Sequence, residues 1–251
     1  MRGERGFALI TALWLIAVLS AIVGLEVGTA RLGQQTSLNR IILTRGRWAA
    51  EGCLAIVQGR WSAKRLADTA TIDLGDNTGC NWHVDDPDAR INVNAADPDV
   101  LTRALADSTL AREVVAARQT APFVSVEQLP MQYRFLFTVD GPGTINLNRA
   151  SDVVLSMLPG LTGEAVERIS SRRNIGRPVT SLDELGGLLA PPARAELLAH
   201  YADLARIATF RPSQLVVTAH GWVNGRAPHA TIEIVAVPLQ DRLAVVRRRI
   251  W

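Results

Sequence analysis

Two histidines, a scatter of aspartates and two cysteines are the side chains whose types and spacing admit chemistry. His220 and His229 flank Asn224-Gly225 and would face each other across a two-residue turn, offering a metal two nitrogen ligands with no third evident. Asp73, Asp76 and Asn77, then Asp85, Asp86 and Asp88, offer oxygen donors of the kind a hard cation takes, but they follow no EF-hand pattern. Cys53 and Cys80 can pair in an oxidising compartment. Cys53 also fits an apolar helix face as a buried free thiol, and the sequence leaves both open. There is no G-x-S-x-G, no H-E-x-x-H, no P-loop and no G-x-G-x-x-G opening a helix after a strand. Glu51, Glu113, Glu127, Glu164, Glu167 and Glu184 sit in helical contexts that read as surface or caps. An enzyme is not expected, and no cofactor is required.

The elements around these residues set what they can do. The chain has 251 residues, 48% hydrophobic and 20% charged, which excludes disorder and allows a sizeable core. Its net charge of +3 rests on arginine, since Lys64 is the only lysine. Phe7 to Leu25 is an apolar run broken only by Thr11, Ser20 and Gly24, long enough as a helix to span roughly 28 Å, about one bilayer core. Arg2 and Arg5 ahead of it keep the N-terminus cytoplasmic by the positive-inside rule and send the body outward. Beyond Glu26 the pattern turns amphipathic, with Leu32, Leu38, Ile41, Ile42, Trp48, Ala49, Cys53, Ile56 and Val57 at three- and four-residue steps. One helix is expected from about Phe7 to Trp61, its first half in lipid and its second half on a folded domain.

The rest of the chain holds a duplication and a sheet. Ile91-Asn92-Val93-Asn94 returns as Ile145-Asn146-Leu147-Asn148, with Leu101 answering Leu155 and Arg118 answering Arg172. Pro122, Ser125, Val126 and Leu129 answer Pro178, Ser181, Leu182 and Leu185 after a shift of two. Each copy reads as an Asn-capped helix, a turn, a second helix and a third short one. In the second copy, Val154 to Val166 resembles a helix-hairpin-helix motif whose Gly160 and Gly163 permit a tight turn ahead of a helix N-terminus, which can hold phosphate. Arg168, Arg172, Arg173 and Arg177 would track a phosphate backbone or form a solvated face. After Phe210 the period becomes two. Gln214–Val223 and Arg226–Val237 flank Asn224-Gly225, so that Val217 should face Ile232, Leu215 Ile234, Thr218 Thr231 and His220 His229. Leu243 to Trp251 reads as a third strand whose Arg247-Arg248-Arg249 suits a sheet edge.

Arg5-Gly6-Phe7-Ala8-Leu9-Ile10-Thr11 resembles the leader junction of type IV pilins and type II secretion pseudopilins. That resemblance implies cleavage by a prepilin peptidase between Gly6 and Phe7 and N-methylation of Phe7. The fifth mature residue, usually Glu in the family, is Thr11 here. This departure, together with Ala49-Ala50-Glu51-Gly52, the acidic stretch Trp82 to Arg90 and the doubled Asn-x-Asn, resembles the K-type minor pseudopilins over essentially the whole chain.

The resemblance implies an α+β, type IV pilin-like fold: a long N-terminal helix packed on an antiparallel sheet, with an inserted helical domain of two helix-hairpin-helix, SAM-like repeats. Residues 1–6 would be leader and 7–61 the helix, with 7–25 transmembrane. Residues 62–90 and 206–251 would form the pilin-like domain, and 91–205 the insert, with repeats at about 91–129 and 145–185. It further implies a single-pass inner-membrane protein with its body in the periplasm, capping the pseudopilus tip and helping to initiate its assembly. The implied partners are the I-type and J-type minor pseudopilins, met through Leu32 to Val57, then the H-type and major pseudopilins. Calcium is implied as a ligand, with Asp73, Asp76, Asp85, Asp86 and Asp88 as candidates. The alternative is a membrane-anchored helix-hairpin-helix DNA-binding protein of competence type; in the pseudopilin reading, nucleic acid is not a partner.

Overall fold

The computed structural model describes residues 4–225 and 227–251, with side chains from residue 12 onward. One helix, α1 (Glu4–Ser62), leads the chain. None of residues 12–41 is buried, and burial begins at Gly46 and continues through Ala49, Ala50, Cys53 and Val57. Those steps of three and four residues trace one helical stripe. The amphipathic reading from Leu32 onward therefore needs correction: Leu32, Leu38, Ile41 and Trp48 are all exposed, Trp48 by 72%. The physical reason is length, since strands of nine residues reach roughly 30 Å and can cover only about the last 17 to 20 residues of such a helix.

The stripe lies on a five-stranded antiparallel sheet of order β1-β2-β7-β8-β9. Two of its strands, β1 (Thr69–Gly75) and β2 (Thr78–Asp85), precede a long helical excursion. The other three, β7 (Leu215–Val223), β8 (Ala230–Pro238) and β9 (Leu243–Ile250), follow it. Cys80, Trp82 and Val84 alternate inward along β2, as do Leu215, Val217 and Ala219 along β7 and Ile232, Ile234 and Ala236 along β8. They form one core with the stripe of α1.

The β7–β8 register differs from the sequence expectation by two residues. Val217 lies opposite Ile234, Leu215 opposite Ala236, Thr218 opposite Glu233 and His220 opposite Thr231. Asn224-Gly225 does not close a two-residue turn. The backbone N–H of Asn224 donates instead to Asn77 O in the neighbouring β1–β2 turn, and the connection runs on to His229, whose N–H returns to Gly221 O. Pro228 within that connection has no N–H to give to a ladder. An even shift keeps every side chain on its face, so the inward residues are unaffected.

The excursion carries a second core of its own, centred on Leu101, Leu105, Leu147, Leu155, Ile169, Leu185 and Leu204. Its first half contains β3 (Ile91–Asn92), α2 (Pro98–Leu105), α3 (Ser108–Thr120) and β4 (Phe137–Thr138). Its second half contains β5 (Ile145–Asn146), α4 (Asp152–Ser156), α5 (Gly163–Asn174), α6 (Leu182–Leu188), α7 (Pro191–Ala199), α8 (Tyr201–Ile207) and β6 (Ala208–Thr209). In each half the first two residues pair in parallel with the last two, β3 with β4 and β5 with β6.

The asparagines do not cap helices. Asp97, Asp107, Ser151 and Thr162 do that, each accepting a backbone N–H of the first turn. Asn94 instead clamps Phe123, accepting its N–H at 2.7 Å and donating to its carbonyl at 3.0 Å. Asn148 clamps Val179 the same way, at 3.0 and 2.7 Å. The counterpart of Arg118 is also corrected. Arg118 donates to Val93 O and Ala96 O, and Arg173 to the equivalent Ala150 O. Arg172 turns away to pair with Glu184.

Candidate functional site

Three features of this architecture can do work: a naked helix, a tight attachment of that helix to the sheet, and a polar seam holding the helical insert. From Ala12 the helix is long and apolar enough to cross a membrane. Gly6, Phe7 and Thr11 fall where side chains lie outside the described residues.

The attachment is made by a close crossing and a covalent tie. A Cβ on Gly221 would fall on the carbonyl oxygen of Gly46 and 2.6 Å from Ala50 N, so α1 and β7 approach backbone to backbone. One step along the stripe, Cys53 and Cys80 are disulfide-bonded, their Cα atoms 6.0 Å apart and both side chains fully buried. The bond closes a loop with a separation of 27 residues and fixes α1 to β2. A loop of that length corresponds to a stabilisation on the order of 3 kcal/mol. At the edge, Arg248 on β9 reaches back to Glu51 of α1.

The insert joins the sheet at the end farthest from the naked helix, where β2 ends and β7 begins. Asp86 is 6% exposed there and accepts Asn146 Nδ2 at 2.8 Å and Asp88 N at 3.0 Å. Burial, reinforced by the nearby Asp88 charge, pushes the Asp86 carboxyl up to about 6, against the lowering pull of the Asn146 hydrogen bond and Arg149. Asp88 accepts the N–H of Ser213 at 2.7 Å, so one buried carboxylate stitches the way into the insert to the way out. Arg149 pairs with Asp68, and Arg247 on β9 with Asp140 at 3.1 Å. Asn92 donates to Asp140 O and Gly141 O. Nothing in the local sequence marks Asp68, Gly46, Gly221 or Asn146 for these contacts, because their partners are distant in sequence, 60 residues away for Asn146 and 81 for Asp68, or are glycines. The one available signal was that Asn146 repeats Asn92.

The five candidate aspartates do not converge on one cation. Asp73 accepts Gly75 N in the β1–β2 turn and Asp76 lies in the same turn, whereas Asp85 pairs with Arg90 and adjoins Asp86 and Asp88 at the other end of β2. Roughly 25 Å of strand separates the two sets. Among the described residues, no three His, Cys, Asp or Glu side chains gather as a metal site. Asp86 already accepts two hydrogen bonds in the seam, and with the two sets at opposite ends of β2 this donor set does not fit calcium as one centre. The histidines part as well: His220 Nδ1 lies 2.9 Å from Thr231 Oγ1, and His229 Nδ1 accepts Val223 N at 3.3 Å.

The hairpin turn of the second repeat is packed inward at Gly160, while Gly163 is exposed. Gly160 takes φ +73 and is buried against α7, where a Cβ would lie 2.9 Å from His200 Cβ and 3.2 Å from Glu196 O. Arg172 and Arg173 are paired with Glu184 and Asp152. A turn packed inward at Gly160 beside carboxylates, with two of the four arginines neutralised, is a poor phosphate cradle.

No protein-family model and no curated protein matches the sequence. A solved structure does. It is a chain of the crystal structure of the GspK-GspI-GspJ complex from the enterotoxigenic Escherichia coli type 2 secretion system, matched at TM-score 0.57 and 12% identity over 88% of this chain and 99% of that one. The two chains share a fold. At this identity the likeness speaks for architecture, a pseudopilin-like combination of long apolar helix, antiparallel sheet and helical elements, and it extends through the insert because nearly all of both chains is covered. The α+β reading thus holds, with the insert and the sheet domain each built around a separate core.

Proposed function

We propose that this chain is a K-type minor pseudopilin of a type II secretion system, a structural rather than catalytic subunit that caps the pseudopilus and helps start its assembly. The observation that supports this best is the arrangement of one exposed apolar helix, a disulfide-braced sheet and a bulky insert at the far end, in the same fold as a chain of the GspK-GspI-GspJ complex. The exposed residues Leu38, Ile41 and Trp48 lie on one side of the helix and leave an apolar flank between the lipid half and the sheet. In the proposed assembly this flank packs against I-type and J-type partners, while the segment 7–25 exchanges lipid for neighbouring helices. The insert adds bulk where a following subunit would otherwise stack. Thr11 in place of the usual Glu fits a subunit that has no neighbour above it. In this reading the N-terminus is cytoplasmic, the body is periplasmic, and the oxidising periplasm suits the disulfide.

The test is the mature N-terminus, read by intact-mass and peptide mass spectrometry of membrane-expressed protein with and without prepilin peptidase. Loss of Met1 to Gly6 with one methyl on Phe7, only when the peptidase is present, is expected. An intact Arg5-Gly6-Phe7 junction in the presence of active peptidase would remove the chain from the pseudopilins.

A further inference from the structure

We propose that the hollow between the end of α1, the β8–β9 turn and the strap returning from the insert docks an acidic peptide segment carrying large apolar side chains. Its volume is about 770 Å³, and it is lined by Trp61, Lys64, Leu66, Arg211, Pro212, Pro238, Leu239 and Gln240. That volume falls in the usual range for ligand pockets, roughly 300–1,000 Å³.

The charge of the wall selects the ligand. Lys64 and Arg211 line the hollow, no carboxylate does, and neither cation has an ion-pair partner among the described residues. Lys64 holds φ +56, a left-handed conformation uncommon for a non-glycine residue. Between the cations the wall is Trp61, Leu66, Leu239 and two prolines, which have no N–H to donate and leave an apolar surface. Carboxylates on the peptide would meet Lys64 and Arg211, and its apolar side chains would lie on the Trp61 ring.

The wall is also set before any ligand arrives. Trp61 Nε1 donates to Leu239 O at 2.9 Å, which fixes the indole against the β8–β9 turn. Leu239 N donates to Arg242 O, and Leu243 N to Gln58 Oε1 at 3.1 Å. On the other side Thr209 Oγ1 donates to Arg211 O at 2.8 Å, and Ser213 N is held by Asp88. Such preorganisation lowers the ordering cost of binding. No residue of the hollow belongs to the naked part of α1, so this proposal stands independently of the assembly role.

The test uses the full chain in detergent and a fluorescein-labelled peptide of alternating Glu and Phe, read by anisotropy. Saturable binding is expected, weakening steeply with salt. It should be at least about ten-fold weaker for Lys64→Glu/Arg211→Glu and for a peptide with Gln in place of Glu. Lys64→Gln/Arg211→Gln, which removes charge without adding repulsion, should give an intermediate loss. Equal binding by the charge-reversed protein or by the Gln peptide overturns the proposal, as does absence of binding. Equal binding of a peptide with Gly in place of Phe would reduce the hollow to a bare anion site and overturn it too.

Discussion

Gly46 and Gly221 meet backbone to backbone where α1 crosses β7, and their two missing side chains are not equivalent. A Cβ at Gly221 runs into the Gly46 carbonyl and Ala50 N, neither of which can turn aside. A Cβ at Gly46 meets the Cβ of His229 at 2.7 Å, a smaller overlap than at Gly221, though one that must also displace backbone. Alanine also favours the helix over glycine by about 1 kcal/mol. Gly221→Ala should therefore lower stability by about 3 kcal/mol, the upper end for overpacking, while Gly46→Ala should cost about half of that, its smaller overlap being partly offset by the helix preference of alanine. Denaturant midpoints of the two variants check this, and equal losses would contradict the geometry.

Asn94 and Asn148 occupy the same place in the two repeats but hold different amounts of backbone. Asn148 is 8% exposed and serves Val179 N, Val179 O and, at 3.1 Å, Phe210 O. Asn94 serves only Phe123 N and O and is only half-buried. A buried backbone group left without a partner costs about 1–3 kcal/mol, less where water can replace the lost side chain. Asn148→Ala should cost at least about 3 kcal/mol and Asn94→Ala about half of that. Hydrogen exchange gives the sharper readout: the Val179 amide should lose protection in Asn148→Ala, and unchanged protection would mean that the clamp does not hold the α5–α6 loop.

What the sequence made legible was pattern that survives small errors of alignment. Alternation in β7 and β8 assigns the inward residues correctly because the actual register is off by two, and an even slip preserves the faces. Asn224-Gly225 misled because its hairpin preference is local, whereas Asn224 N is engaged by Asn77 of another turn. The repeat was visible in Asn-x-Asn, yet Arg172 was matched to Arg118 when Arg173 does its work, since a one-residue slip in a helix looks equally periodic. Of the seam, only the repetition of Asn92 by Asn146 was legible. Asp86 and Asn146 lie 60 residues apart and Asp88 and Ser213 125 apart, and side-chain type alone does not name a partner so distant in sequence.

The same seam gives the protein a pH dependence of unusual sign. Most carboxylates in folded proteins stabilise on ionisation, and Glu184 follows that rule: hydrogen bonds from Thr180, with Arg172 nearby, hold it below the usual carboxylate range. Asp86 goes the other way, from 3.8 to about 6. Between those two values the folded chain keeps a proton that the unfolded chain has released, so the folded state binds more protons and stability falls as pH rises from about 4 to about 6, then levels off. Asp86→Asn cannot titrate, although it satisfies only one of the two N–H groups now held by the carboxylate. Thermal midpoints measured from pH 4 to pH 7.5 should show the parent losing stability relative to Asp86→Asn across that window and running parallel to it above. The comparison with the variant cancels the other carboxylates, Glu184 included. Parallel profiles throughout would mean that Asp86 is ionised in the fold at all these pH values, and the seam would then be an ordinary charged contact rather than a buried, largely neutral one at its acid end.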